Sequence, residues 1–161
     1  EAPVQIINVN NESSVLGGAG NVINNLNSLG AKVDILSVIG RCSASTELKG
    51  LLKNINVDTK YLVTENNRIT SKKSRIVASQ QQVVRYDRES LNEISKNSQS
   101  AIFASFKKIA QKYDVILLSD YGKGLLTFQL TQSIIKLANK LEIKVLVDPK
   151  GLNYDKYKKS N

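Results

Sequence analysis

No histidine, methionine or tryptophan occurs among the 161 residues, and Cys42 is the single cysteine. Those absences remove whole classes of chemistry. There is no Ser-His or Cys-His pair, no imidazole metal ligand, no zinc-finger spacing and no internal disulfide. General acid or base work falls to Asp and Glu, and a lone cysteine fits a reducing cytoplasm. Aromatic residues make up 6% of the chain, too few to supply stacking platforms between the scattered lysines. The formal charge of +9 therefore reads as a lysine-rich solvated surface or an anionic small substrate, with no nucleic acid as partner. No apolar run approaches a membrane span, so no membrane partner is expected. With 41% hydrophobic residues the chain has material for one core, and one domain is the default. The missing initiator Met and an end just after a strand and turn read as a part of a longer alternating fold.

The organising stretch is Leu16-Gly17-Gly18-Ala19-Gly20-Asn21, followed by Val22, Ile23, Leu26 and Leu29 at helical spacing and a stop at Gly30. Glycines here let the backbone turn with positive φ and let a ligand approach the main chain. The helix start behind them offers N–H groups and a favourable dipole to hydroxyls or anions, with Asn21 able to donate and accept in the same space. A tight connection is the plain alternative. A dinucleotide fingerprint is excluded, because Ile23 stands where the third glycine belongs and the preceding segment is polar.

In chain order, residues 4–9 form a strand candidate, residues 20–29 a helix, and Ala31 to Ile39 a strand closed by Gly40. A helix follows with Leu48, Leu51, Leu52 and Ile55 on one face and Ser43 or Ser45 as cap. The period then changes to three polar β runs, Thr59–Thr64, Ile69–Ala78 and Gln81–Asp87. Strand parity places Lys73 and Arg75 on one face of the second run, and Gln81 and Arg85 on one face of the third. They read as edge protection or as an anion grip. Beyond Asp87 the alternation resumes. A helix carries Ile102, Phe106 and Ile109, and a fully buried strand over 114–118 ends in Ser119-Asp120-Tyr121-Gly122-Lys123-Gly124. The next helix carries Leu130, Ile134, Leu137 and Leu141, and the buried strand 143–147 ends in Asp148-Pro149-Lys150-Gly151. Such alternation implies a parallel sheet whose ligands sit beyond the carboxyl ends of the strands. Two strands each ending in Asp, then Lys and Gly, point to phosphate handling.

Gly17 to Val22, the run Thr70 to Arg85 with its Gln80-to-Asp87 stretch, Asp120-Tyr121-Gly122-Lys123-Gly124 and Asp148-Pro149-Lys150-Gly151 together resemble the ribokinase (pfkB) family of sugar kinases. Within it they are most similar to the branch acting on heptose 7-phosphate. The resemblance implies a ribokinase-like three-layer α/β fold with a mostly parallel central sheet and a small β lid. The lid would take residues 1–15 and 59–88, and the core 16–58 and 89–161. It further implies ATP with Mg2+, phosphorylation of the anomeric hydroxyl to give heptose 1,7-bisphosphate for lipopolysaccharide inner-core precursors, a cytoplasmic enzyme, and a homodimer through the lid sheet. In many bacteria such a kinase is fused to an adenylyltransferase domain. Gly17, Gly18 and Asn21 would hold sugar hydroxyls. Lys73, Arg75, Gln81 and Arg85 would lie near the substrate phosphate, and Asp120, Lys123, Asp148 and Lys150 along the sugar and phosphate path. Two differences stand out. Gly40-Arg41-Cys42 replaces the family's Gly-x-Asp, and no Gly-Ala-Gly-Asp motif occurs, so the catalytic base is expected downstream of Asn161 and Gly18-Ala19-Gly20-Asn21 does not supply it. Another ribokinase-type sugar or nucleoside kinase, and a non-catalytic module binding anions or nucleic acid, are the alternatives. Salt-dependent DNA affinity without any response to sugar phosphates would favour the last.

Overall fold

The computed structural model describes residues 6–161. Helix α1 (Ala19–Ser28) begins at Gly18, whose φ of 52° and ψ of −129° are open to glycine and strained for other residues. It ends where the Gly30 and Ala31 N–H groups return to the carbonyls of Asn27 and Leu26. Strand β1 (Ser37–Ile39) is shorter than the nine residues expected, because among the described residues it pairs with β2 (Leu62–Thr64) alone, in parallel and over three residues. The expected lid strand 59–64 is thus part of the core, joined to β1 through helix α2 (Ser43–Asn54). Residues 6–9 are exposed and belong to no strand, while residues 4 and 5 of that expected strand lie outside the described residues. The lid is instead one antiparallel hairpin, β3 (Lys72–Ala78) and β4 (Gln81–Arg88).

The cap of α2 also differs from expectation. Cys42 holds the N-cap position without a side-chain bond. Ser45 is buried and donates to the Gly40 carbonyl at 2.5 Å, with the Thr70 hydroxyl 2.8 Å away. Thr70 Oγ1 accepts from the Gly40 N–H at 2.8 Å. Ser45 therefore fastens the root of the hairpin to the turn after β1. Its hydrogen bond, and that of the Thr70 backbone, bring the exposed Cys42 thiol down to a pKa of about 7.

Helices α3 (Lys96–Ile109) and α4 (Phe128–Lys140) have true N-caps, with Ser95 and Thr127 accepting from the N–H groups of Ser98 and Leu130. Both lay their apolar faces on one side of strands β5 (Val115–Ser119) and β6 (Lys144–Asp148), which pair in parallel. Ile102, Phe106, Leu130, Ile134, Ile135, Leu118 and Val145 form that core, and each such burial contributes roughly 1.5–3 kcal/mol. A smaller cluster of Ile23, Leu52 and Val57 seats α1 and α2. The two carboxyl-end strands are half-buried rather than fully buried. Leu118 and Val145 point inward, whereas Val115, Leu117 and Leu146 are 44%, 39% and 47% exposed. Among the described residues only one face of this pair is covered by helices.

In the hairpin, Lys73 pairs with Asp87, Arg75 with Arg85, and Ile76 with Val84. Between Ile76 and Val77 the register shifts by one, leaving Val83 as an extra residue, and Val77 then faces Gln82 while Ala78 faces Gln81. The tip is a two-residue turn with Ser79 and Gln80 both at positive φ (48° and 67°), which matches the twist of the flanking strands.

Candidate functional site

Four of the expected stretches meet. A Cβ placed on Gly18 would lie 3.6 Å from the Tyr121 ring, so the glycine turn abuts the loop after β5. A Cβ on Gly122 would lie 3.3 Å from Lys150 Cγ, and the Asp120 N–H donates to the Asp148 carbonyl at 2.9 Å. The Lys123 ammonium bonds Glu89 at 2.6 Å, and Glu89 bonds Lys73 of the hairpin at 3.3 Å. The glycine turn, both strand-end loops and the hairpin therefore line one region, open to solvent at Gly18, Asn21, Gly122, Asp148 and Lys150.

The glycine turn is a different cradle from the one its composition suggests. The N–H groups of Gly20 and Asn21 already donate to the carbonyls of Gly17 and Gly18, both at 3.0 Å. The Asn21 side chain is exposed beside this turn, and nothing lies within 4 Å of a Cβ on Gly17.

The Asp120 carboxylate is already engaged within the chain. Its side chain is 4% exposed and already filled with donors: Gly122 N–H at 2.7 Å, Lys156 Nζ at 2.5 Å and Tyr157 Oη at 2.6 Å. Burial alone raises a carboxyl pKa, but here the bonds from Lys156, Tyr157 and Gly122 outweigh it and hold Asp120 below the usual carboxylate range. Lys156 is shifted the other way, upward, its burial overcome by Asp120, and also donates to the Leu126 carbonyl at 3.2 Å. Asp120 thus shapes the Tyr121–Lys123 loop through the short 3₁₀ turn Asp155–Tyr157.

On the hairpin, Lys73, Arg75 and Arg85 share one face, as their parity predicts. Lys73 bonds Asp87 at 2.5 Å and Arg85 bonds Asp87 at 3.2 Å. Arg75 stands directly opposite Arg85, a like-charge pair that disfavours the hairpin unless an anion intervenes. Gln81 is a correction: the bulge at Val83 turns it to the Ile76 face, and Gln82 takes its place beside the cations. Sequence reasoning also passed over Glu89, Arg68 and the Lys156–Tyr157 pair. Glu89 was within reach of the same parity that grouped Gln81 and Arg85. Arg68, which is 9% exposed and donates to the carbonyls of Asn92 (3.1 Å) and Lys123, gave no periodic signal.

Among the described residues no three His, Cys, Asp or Glu side chains are grouped to hold a metal ion. The ammonium groups of Lys123 and Lys150 at the strand ends suit phosphate oxygens.

Residues 2–160 match the pfkB family carbohydrate kinase. The chain is 60% identical over 160 residues to "Bifunctional protein HldE" of Aliarcobacter butzleri, covering 99% of this chain and 34% of that protein. It is 52% identical to the protein of the same name in Sulfurimonas denitrificans, covering 98% and 33%. The chain therefore spans about a third of the length of these curated relatives. Among solved structures, Sa239 superposes with a TM-score of 0.64 at 14% identity, covering 95% of this chain and 49% of that one. Arabidopsis thaliana ribokinase complexed with ribose and ATP gives 0.61 at 14% identity, covering 94% and 48%. The fold is accordingly ribokinase-like α/β.

Proposed function

Since this chain belongs to the pfkB family of carbohydrate kinases, we propose that it forms the sugar-binding part of an ATP-dependent kinase for heptose 7-phosphate. The product is heptose 1,7-bisphosphate, phosphorylated at the anomeric hydroxyl, on the route to lipopolysaccharide inner-core precursors. The observation that carries this reading is the convergence of the Gly18 turn, the Tyr121–Lys123 loop and the cationic hairpin face on one open region. The high identity to proteins named as bifunctional supports it.

Asn21 meets sugar hydroxyls beside Gly18, and Arg75 with Arg85 meets the substrate phosphate, which relieves their mutual repulsion. Lys123 and Lys150 face the phosphoryl path, where positioning and positive charge matter more than covalent chemistry. ATP enters as the second substrate and supplies the phosphoryl group; Mg2+ accompanies its phosphates in this reading. The residues here bind and orient, and no carboxylate among them stands in the family's Gly-Ala-Gly-Asp base motif. The reading implies a cytoplasmic enzyme, and no helix among the described residues is long and apolar enough to cross a membrane. It also implies a homodimer, with the Ser74, Ile76, Val84 and Tyr86 face of the hairpin covered by a second copy.

ADP release decides the matter. A full-length protein containing this chain should turn over with heptose 7-phosphate and stay near background with ribose, fructose 6-phosphate and inosine. The 161-residue chain alone should be silent. Equal rates on ribose would overturn the substrate assignment, and turnover by the chain alone at about 1 per second or faster would show that the base lies within it.

A further inference from the structure

We propose that Glu89 is a positioning residue that couples the attitude of the hairpin to the Asp120–Gly124 loop, by holding Lys73 of one and Lys123 of the other on a single carboxylate. The inference rests on the reading that both lysines serve an anionic substrate. Glu89 follows directly after β4, and its side chain is only 17% exposed. Oε1 accepts from Lys123 Nζ at 2.6 Å, and Oε2 accepts from Lys73 Nζ at 3.3 Å. Its partners lie 34 and 16 residues away in sequence, on different elements. Lys123 first, then burial's opposing push and Lys73, leave its carboxyl below the usual range.

The surrounding backbone is also joined by contacts that do not involve Glu89. The Ile69 N–H donates to Ser90 Oγ at 2.9 Å, and Arg68 reaches the carbonyls of Asn92 and Lys123. The Ile94 N–H donates to the Gly124 carbonyl at 3.0 Å, and a Cβ on Gly124 would sit 2.0 Å from the Asn92 carbonyl oxygen. These contacts keep the root of the hairpin beside the loop without Glu89, and how readily the arm and the loop open is what Glu89 sets. What they lack without Glu89 is a tie between the lysine heads, each on a flexible four-carbon stem. Two ammonium groups brought together repel one another, and the carboxylate between them makes the arrangement favourable. The charge count still favours an anion. Lys73, Arg75, Arg85 and Lys123 stand against Asp87 and Glu89, so the face remains net positive.

The test has two readouts on a full-length protein containing this chain, with Glu89→Gln and Lys73→Met as variants. Without substrate, hydrogen exchange at the amides of β3–β4 and of 120–124 should rise together in both variants, by about tenfold, the scale of a lost charge-assisted bond. With substrate, Glu89→Gln should raise KM for heptose 7-phosphate by about tenfold while KM for ATP stays within about twofold. Glu89→Asp, which keeps the charge on a shorter stem, should recover part of the loss. Faster exchange in the hairpin with an unchanged loop would overturn the coupling, as would an equal rise in both KM values. If the wild type is silent toward heptose 7-phosphate, the functional reading fails, and the substrate-free exchange still decides the role of Glu89.

Discussion

Replacing Asp120 by Asn separates a structural carboxylate from a sugar ligand. The substitution preserves shape and leaves Oδ1 to accept from the Gly122 N–H, but it puts an NH2 group where Oδ2 now accepts from Lys156 and Tyr157. Two donors then face a donor. Each charge-assisted bond contributes roughly 1.5–3 kcal/mol, and stranding one member of a buried ion pair costs about 3–5 kcal/mol. Lys156 is 24% exposed and turns partly to water, and the Tyr157 hydroxyl can rotate to accept, so the expected loss is about 3 kcal/mol. Against a typical domain stability of about 5–15 kcal/mol that is a large fraction. Urea unfolding at pH 7 would show it as a midpoint lowered by about 1–2 M.

Acid supplies the control. Asp120 has a folded-state pKa below its unfolded value, so the folded chain binds fewer protons there. Its stabilising share is complete above about pH 4 and is lost as pH falls through the folded pKa. The gap between wild type and Asp120→Asn should therefore narrow when the titration is repeated near pH 3. A loss under about 1 kcal/mol at pH 7, or a gap that persists in acid, would refute the internal role and return Asp120 to the list of sugar contacts.

Three further outcomes are expected. Gly40→Ala should lower thermal stability by about 2–3 kcal/mol or prevent folding, because the added Cβ would fall 1.8 Å from the Arg68 carbonyl oxygen; a fully stable variant in calorimetry would show that this crossing is looser than described. In the full-length protein, Gly18→Val and Asn21→Ala should each weaken sugar phosphate binding more than ATP binding, by roughly 1 kcal/mol or more, in separate titrations. Equal losses for both ligands would mean misfolding. Ile76→Asp should split the proposed dimer by burying an unpaired carboxylate at the contact, which light scattering reads directly; a wild type already monomeric, or a variant still dimeric at micromolar concentration, removes the lid-to-lid contact.

The helices α1 to α4 are legible from their apolar stripes, β3 and β4 from their β-like composition and β5 and β6 from their short apolar runs. Periodicity failed where pairing, not pattern, decides. Ala31 to Ile39 is strand-like along its whole length, yet among the described residues only Ser37–Ile39 finds a partner strand. Thr59–Thr64 looks like its polar neighbours and still joins the core, because Leu62 and Val63 pair with Ser37 and Val38. The motifs at Asp120 and Asp148 announced two loops that lie side by side, since the ends of paired parallel strands converge. They were silent on occupancy. Asp120 is filled by Lys156 and Tyr157, 36 and 37 residues further on, and a pairing across that separation leaves no local trace. Gln81 was misplaced by one residue of bulge, which parity does not register.

That same bulge divides the arm into two lengths with separate phases. Below Val83 the alternation is locked to the root, where gaining or losing one residue would swing every cation to the far side. Above it lie only Val77, Ala78, the turn and Gln81–Gln82. An insertion or deletion there changes the length and chemistry of the tip and leaves Arg75 and Arg85 aimed as before. The arm is built as a fixed handle with an interchangeable end, so variation in what the tip touches can accumulate without disturbing the grip beneath it.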